Sequence, residues 1–152
     1  MIYVTGDLHG PAGLERLECW SEGREGDFLI VAGDFGYPWD YSEIECDEIV
    51  WLESLPYKVL FVDGNHERFG HWEDRPAESC VAAWFRGCAT ARPSMPIPGL
   101  PDERLTRFLD EVDWRLDYKH WYYGHFHKDV DVDEKHTLLF ERIVPIGEGV
   151  GN

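Results

Sequence analysis

The chain has 152 residues, a length that predicts one domain with a proper core. An apolar share of 43%, with 14% aromatics and seven Trp, excludes a disordered or low-complexity chain. A net charge of −16 argues against duplex nucleic acid as a partner, because phosphate backbones are gripped by Lys and Arg; such acidity suits solubility or the attraction of cations.

Residues 2–5 (IYVT) read as a buried strand that ends in Gly6-Asp7-Leu8-His9-Gly10. A helix is expected over residues 11–20, started by Pro11, with Leu14 and Leu17 on one face and Gly23 and Gly26 beyond it. Residues 27–32 (DFLIVA) form a second apolar strand leading to Gly33-Asp34 and a loop rich in Gly, Pro and aromatics. In that loop Tyr37, Trp39 and Tyr41 are expected to pack on the next helix rather than to form a stacking lip for a substrate. Ser42 and Glu45 make a capping box, and Ile44, Ile49, Trp51 and Leu52 carry a helix towards Leu55-Pro56. Residues 58–62 (KVLFV) are a third strand, ending in Asp63-Gly64-Asn65-His66-Glu67. Strand–helix alternation of this kind predicts a mostly parallel central sheet with right-handed crossovers, whose ligands bind at the carboxyl ends of its strands.

Residues 68–100 carry Pro76, Pro93, Pro96 and Pro98 and little periodicity beyond a strand expected at 81–85, so they read as a long irregular connection. A helix is expected over 101–112, with Leu105, Phe108, Leu109 and Val112 on one face. Strands at 120–123, 137–140 and 143–146 suggest an antiparallel finish, with the acidic residues 129–134 as a solvated turn and the last residues as a frayed tail. Residues 1–152 are expected to form a single domain. The cysteines (Cys19, Cys46, Cys80, Cys88) lack CxxC spacing, and the opening residues lead straight into a motif without a secretory leader. Reduced thiols in a cytoplasmic protein with no membrane span follow, with Cys19 and Cys46 as buried small hydrophobes.

Four apolar runs therefore end in GDLHG, AGDFG, DGNHE and YGHFH. Residues two apart on an extended segment share a side, so Asp7 with His9, and His125 with His127, can each reach one ion. Carboxylate, amide and imidazole donors suit Mn, Fe, Zn or Mg better than a thiolate metal. Asp34 could bridge two cations, Asn65 offers a carbonyl, and His66 could serve as an acid. A lone His is more often structural, which is the reading for His71 and His136, and His120 is expected in the core or on a sheet face. Gly6, Gly33, Gly64 and Gly124 precede site residues where backbone crowding is expected.

The ordered series D-x-H, GD, GNHE and GHxH resembles the calcineurin-like metallophosphoesterase superfamily, over about residues 1–75 and 114–146. GDFGYPWD, FVDGNHE and KHWYYGHFH are similar to the small bacterial and phage members. The resemblance implies an α/β fold, an αββα sandwich around a mostly parallel central sheet with a reduced second sheet. It implies a first metal on Asp7, His9, Asp34 and His127, and a second on Asp34, Asn65 and His125. Manganese is the expected ion, with Fe, Zn, Ni or Mg as alternatives, at one or two per chain. The implied activity is phosphoester hydrolysis by a metal-activated water, with His66 assisting the leaving group and Arg68 the nearest candidate for a substrate clamp. A small phosphoester or a phosphoprotein is the expected substrate.

Two departures from the family pattern stand out. Gly87 occupies the place of a further metal-binding His, for which His71, Cys88 or His120 could compensate, and the middle of the chain looks internally deleted. Tyr37 stands where an acid often orients the catalytic His, with Asp40 the nearest substitute. The alternative implied is a degenerate, non-catalytic module that binds metal or phosphate. A shortened sheet also leaves an edge on which a second copy could pair as a homodimer.

Overall fold

Strand alternation sorts the apolar residues into layers. The structure, a computed structural model, describes residues 1–62, 64–66 and 103–147, with backbone alone for 103–106. In chain order it contains β1 (Ile2–Thr5), α1 (Pro11–Cys19), β2 (Phe28–Ala32), α2 (Glu43–Ser54) and β3 (Lys58–Val62). Then follow α3 (Glu103–Arg115), β4 (Trp121–Tyr123), β5 (Val130–Asp133), β6 (His136–Leu138) and β7 (Val144–Pro145).

The first sheet has the order β3-β2-β1-β7, and its first three strands are parallel, with Tyr3 opposite Leu29 and Leu29 opposite Val59. One face presents Tyr3, Leu29, Val31, Val59 and Phe61 to Leu17 of α1 and Leu52 of α2 in a continuous buried core. The other face presents Val4 and Ala32 to Leu139, with Tyr122 and Val144 packed alongside. A second, smaller sheet of order β4-β6-β5 supplies that opposing layer. This is the expected α/β architecture, a mostly parallel sheet with a reduced partner. No helix among the described residues is long and apolar enough to cross a membrane.

Several expectations are corrected. The finish is not antiparallel throughout: β4 pairs parallel with β6, while β7 leaves for the edge of the first sheet, antiparallel to β1. Only half of the capping box forms. Ser42 accepts from the Glu45 N–H at 3.2 Å, but the Ser42 N–H goes to Asp40 and the Glu45 carboxylate turns to the preceding loop. Cys19 and Cys46 are exposed rather than buried. On α3, which runs three residues further than expected, Leu109 is buried but Phe108 is exposed. The strand expected at 81–85, the tail from 148 onward, and Arg68, His71, Gly87 and Cys88 lie outside the described residues.

Within the acidic residues 129–134, Val130–Asp133 form a strand rather than a turn, held by hydrogen bonds to residues further along the chain. The Asp129 carboxylate accepts from the N–H groups of Phe140, Glu141 and Arg142 at 2.8, 3.0 and 3.1 Å, while the Arg142 guanidinium donates to Asp131 at 2.8 and 3.2 Å. Burial alone would raise the Asp129 pKa; the three N–H donors and the Arg142 charge outweigh it and hold the carboxyl below its ordinary range. Asp129→Ala should therefore cost about 2 kcal/mol, the size of a hydrogen-bonded charged group, in denaturant unfolding at neutral pH. Because the folded pKa is depressed, the difference from wild type should fade as pH falls through it. An unchanged midpoint at neutral pH would show that water replaces the carboxylate without loss.

Candidate metal centre

Each proposed ligand leaves the carboxyl end of a strand. Asp7 and His9 follow β1, Asp34 follows β2, Asn65 and His66 follow β3, and His125 and His127 follow β4. The turns that carry them are tied together: the Leu8 and His9 N–H groups donate to the Asp34 carbonyl at 3.0 and 2.8 Å, and the Gly10 N–H donates to that of Phe35 at 2.9 Å. His9, Asp34, His125 and His127 all adopt left-handed backbone, with φ of 58°, 44°, 78° and 47°. Such conformations are uncommon outside glycine and persist where surrounding structure enforces them, often at functional sites. Two glycines make room. A Cβ on Gly64 would lie 1.9 Å from Asp34 Oδ1, and one on Gly124 would lie 2.1 Å from Asp7 Oδ1.

Asp7, His9 and His127 form the one group among the described residues whose His, Cys, Asp or Glu donor atoms lie mutually close enough to hold an ion. His9 Nε2 stands 2.9 Å from His127 Nε2, and these nitrogens lie 3.8 and 3.3 Å from Asp7 Oδ2. Separations of this size arise when each ligand stands about 2.0–2.2 Å from a shared ion. Asp7 is 1% exposed and takes the His125 N–H on both oxygens, at 2.7 and 2.9 Å. Burial raises the Asp7 pKa, nearby Asp34 adds to this, and the His125 N–H, His9 and His127 oppose it. Burial lowers the His9 pKa, with His127 and His66 adding to it against Asp34 and Asp7, which favours the neutral imidazole that a metal requires. Two buried carboxylates, Asp7 and Asp34, beside the imidazoles of His9 and His127 make a donor set that fits a divalent metal.

The remaining predicted residues sit around this group. Asp34, also 1% exposed, takes the His66 N–H on Oδ1 at 2.8 Å. Asn65 Oδ1 meets His125 Nδ1 at 2.8 Å, pairing two residues assigned to the second metal. The His66 ring lies 5.3 Å from that of His9, edge to face. His120 instead bonds Thr137 in the second sheet at 2.9 Å and is not in the ligand group. His136 is structural, as expected, held by Asp133 at 2.7 Å and Tyr118 at 2.8 Å.

Two supporting residues escape a motif search. Arg16 of α1 donates to the carbonyls of Asp7 and Gly6 at 2.8 and 3.4 Å and to that of Phe140, bracing the first turn against the second sheet. Phe140 in turn stacks on His127 with ring centroids 4.7 Å apart. Helical spacing places Arg16 on a face neighbouring Leu17 but gives no sign that its partners are backbone carbonyls, two of them Gly6 and Asp7 at the end of β1.

The model of the calcineurin-like phosphoesterase family matches residues 1–99, about two thirds of the chain. The protein therefore belongs to the calcineurin-like phosphoesterases. The match includes Asp7, His9, Asp34, Asn65 and His66 and stops before YGHFH, so His127 enters the group on its own motif and on geometry. Comparison with curated proteins and with solved structures finds no significant match.

Proposed function

We propose that this chain is a metal-dependent hydrolase of phosphoesters, and the convergence of Asp7, His9 and His127 is the observation that carries the reading. Asp7, His9, Asp34 and His127 are assigned to one divalent ion, and Asp34, Asn65 and His125 to a second, with manganese the first choice. When bound, such ions supply Lewis-acid charge at the phosphoryl oxygens and a water of lowered pKa.

The chain's own residues then have distinct tasks. Asp34 anchors the His66 backbone through its Oδ1, fixing the Asn65-His66 turn beside the ligand group. Asn65 and His125 hold each other by their side chains and so orient the second ligand pair. His66 borders both His9 and the adjoining cleft, where its imidazole can give a proton to the departing oxygen. A cytoplasmic setting suits the exposed thiols of Cys19 and Cys46. Pairing of a second copy on a sheet edge belongs to the same reading and is read by mass measurement in solution.

The test is metal content alongside hydrolysis of nitrophenyl phosphate mono- and diesters. Two Mn per chain and turnover are expected, with His66→Ala lowering kcat by about 10²–10⁴-fold, the usual worth of a general acid, at unchanged metal content. Metal binding without turnover in added Mn would support the degenerate module and contradict the enzyme.

A further inference from the structure

We propose that the cleft running from His9 and His66 to Trp39 is the leaving-group pocket of that hydrolysis, and that it selects a flat organic group bearing neutral or positive charge over one bearing a second anion. This deepens the phosphoesterase reading and rests on it. The cleft holds about 330 Å³, at the lower end of the range for small-molecule sites and enough for one or two fused rings. His9 and His66 both line it, and a leaving oxygen would depart beside them. Pro11, Tyr37, Trp39 and Ile44 contribute apolar wall.

That wall is built in advance. Tyr37 is 2% exposed, its ring meets Phe35 edge to face at 5.5 Å, and its hydroxyl donates to Glu48 at 3.0 Å. Burial, reinforced by Glu48 and Glu45, pushes the Tyr37 phenol well above its ordinary pKa, so it stays neutral. Glu45, 5% exposed, gathers the backbone N–H groups of Trp39, Asp40 and Tyr41 onto its carboxylate. The loop backbone is thereby held while Trp39 stays 49% exposed, an aromatic residue on a fixed loop. Tyr37 packs against α2 as expected, its hydroxyl reaching Glu48.

Charge sets the second half of the preference. Among the described residues lining the cleft, Asp40, Glu45 and Glu48 contribute carboxylates and there is no Lys or Arg. A carboxylate or second phosphate on the leaving group would enter a negative field, whereas a neutral or cationic ring would not. Aromatic faces stack flat rings irrespective of their substituent pattern, so shape and charge, not one named group, define the class.

The test measures binding of non-hydrolysable phosphonates to the Mn-loaded chain by calorimetry, beside turnover of the two nitrophenyl esters. Naphthylphosphonate should bind at least about tenfold more tightly than methylphosphonate, the order of one ring stacked on an aromatic side chain. That ratio should fall to within about threefold in both Trp39→Ala and Trp39→Leu, the latter keeping an apolar wall without a flat face. Trp114→Ala, on α3 and 84% exposed, should leave the ratio unchanged. A carboxyl group on phenylphosphonate should weaken binding by about fivefold, and added salt should narrow the gap. Equal affinity for the naphthyl and methyl compounds, or a preference that survives both Trp39 variants, would overturn the pocket; indifference to the carboxyl group would overturn its charge preference. A naphthyl preference in a chain that hydrolyses neither ester would keep a binding cleft and overturn the hydrolysis, so the two failures are told apart.

Discussion

Asp7→Asn should weaken Mn binding by about 100-fold or more and lower kcat/KM by roughly 10³-fold, the order lost with one preorganised electrostatic contributor. The change leaves the side chain's shape almost intact. Asp7 Oδ1 and Oδ2 both accept the His125 N–H, and an Asn carbonyl can keep one of those bonds. What disappears is the negative charge 3.3 and 3.8 Å from the His127 and His9 nitrogens. The folded state should persist, because burial already disfavours the charged carboxylate and a neutral isostere removes that cost. Calorimetric titration with MnCl2 reads the affinity, and nitrophenyl ester hydrolysis at saturating Mn reads the rate. Affinity equal to wild type would take Asp7 out of the ligand set.

Gly124→Ala should strike both the fold and the metal centre, for a reason independent of backbone freedom. Its added Cβ would lie 2.1 Å from Asp7 Oδ1 and 2.6 Å from the Ala32 carbonyl oxygen, and a buried carboxylate and a strand backbone have little room to retreat. Forced overpacking costs about 1–3 kcal/mol and more when relief must come from backbone, so a loss near 3 kcal/mol is expected, together with loss of the metal. Gly26→Ala is the control. Nothing lies within 4 Å of its added Cβ, but its φ of 88° is left-handed, so about 1 kcal/mol is expected with metal binding kept. Thermal unfolding with and without Mn separates the two. Equal small losses would mean that the turn after β4 opens freely.

The ends of the strands were the most legible part of the chain. IYVT, FLIVA and KVLFV are short, apolar and each followed by glycine or by a glycine one residue on, so both the parallel sheet and the place of its ligands could be read in advance. Partner choice was less legible, because alternation names a strand's faces and not its neighbour. Val144 and Pro145 carry the same apolar signal whether they join Leu138 or Val4, and the pairing with β1 brings them back to the first sheet. The strand at Val130–Asp133 was hidden by its charges. Its acids are matched by Arg142 and by N–H groups ten and more residues away, which no local pattern displays. Glu45 misled in a similar way: its spacing from Ser42 fits a capping box, yet three N–H groups of the preceding loop compete for the same carboxylate and win. For the site itself, the residue types and their order identified Asp7, His9 and His127, whereas the brace supplied by Arg16 and Phe140 depends on contacts across 124 positions of sequence.

The most direct measurement is anomalous diffraction from crystals of the chain grown with MnCl2. The proposed metal centre requires a manganese peak about 2.0–2.3 Å from donor atoms of Asp7, His9 and His127, with Asp34 reaching towards a second peak beside Asn65 and His125. Density showing His9 and His127 bonded only to each other, with no manganese between them and Asp7 at saturating metal, would contradict it.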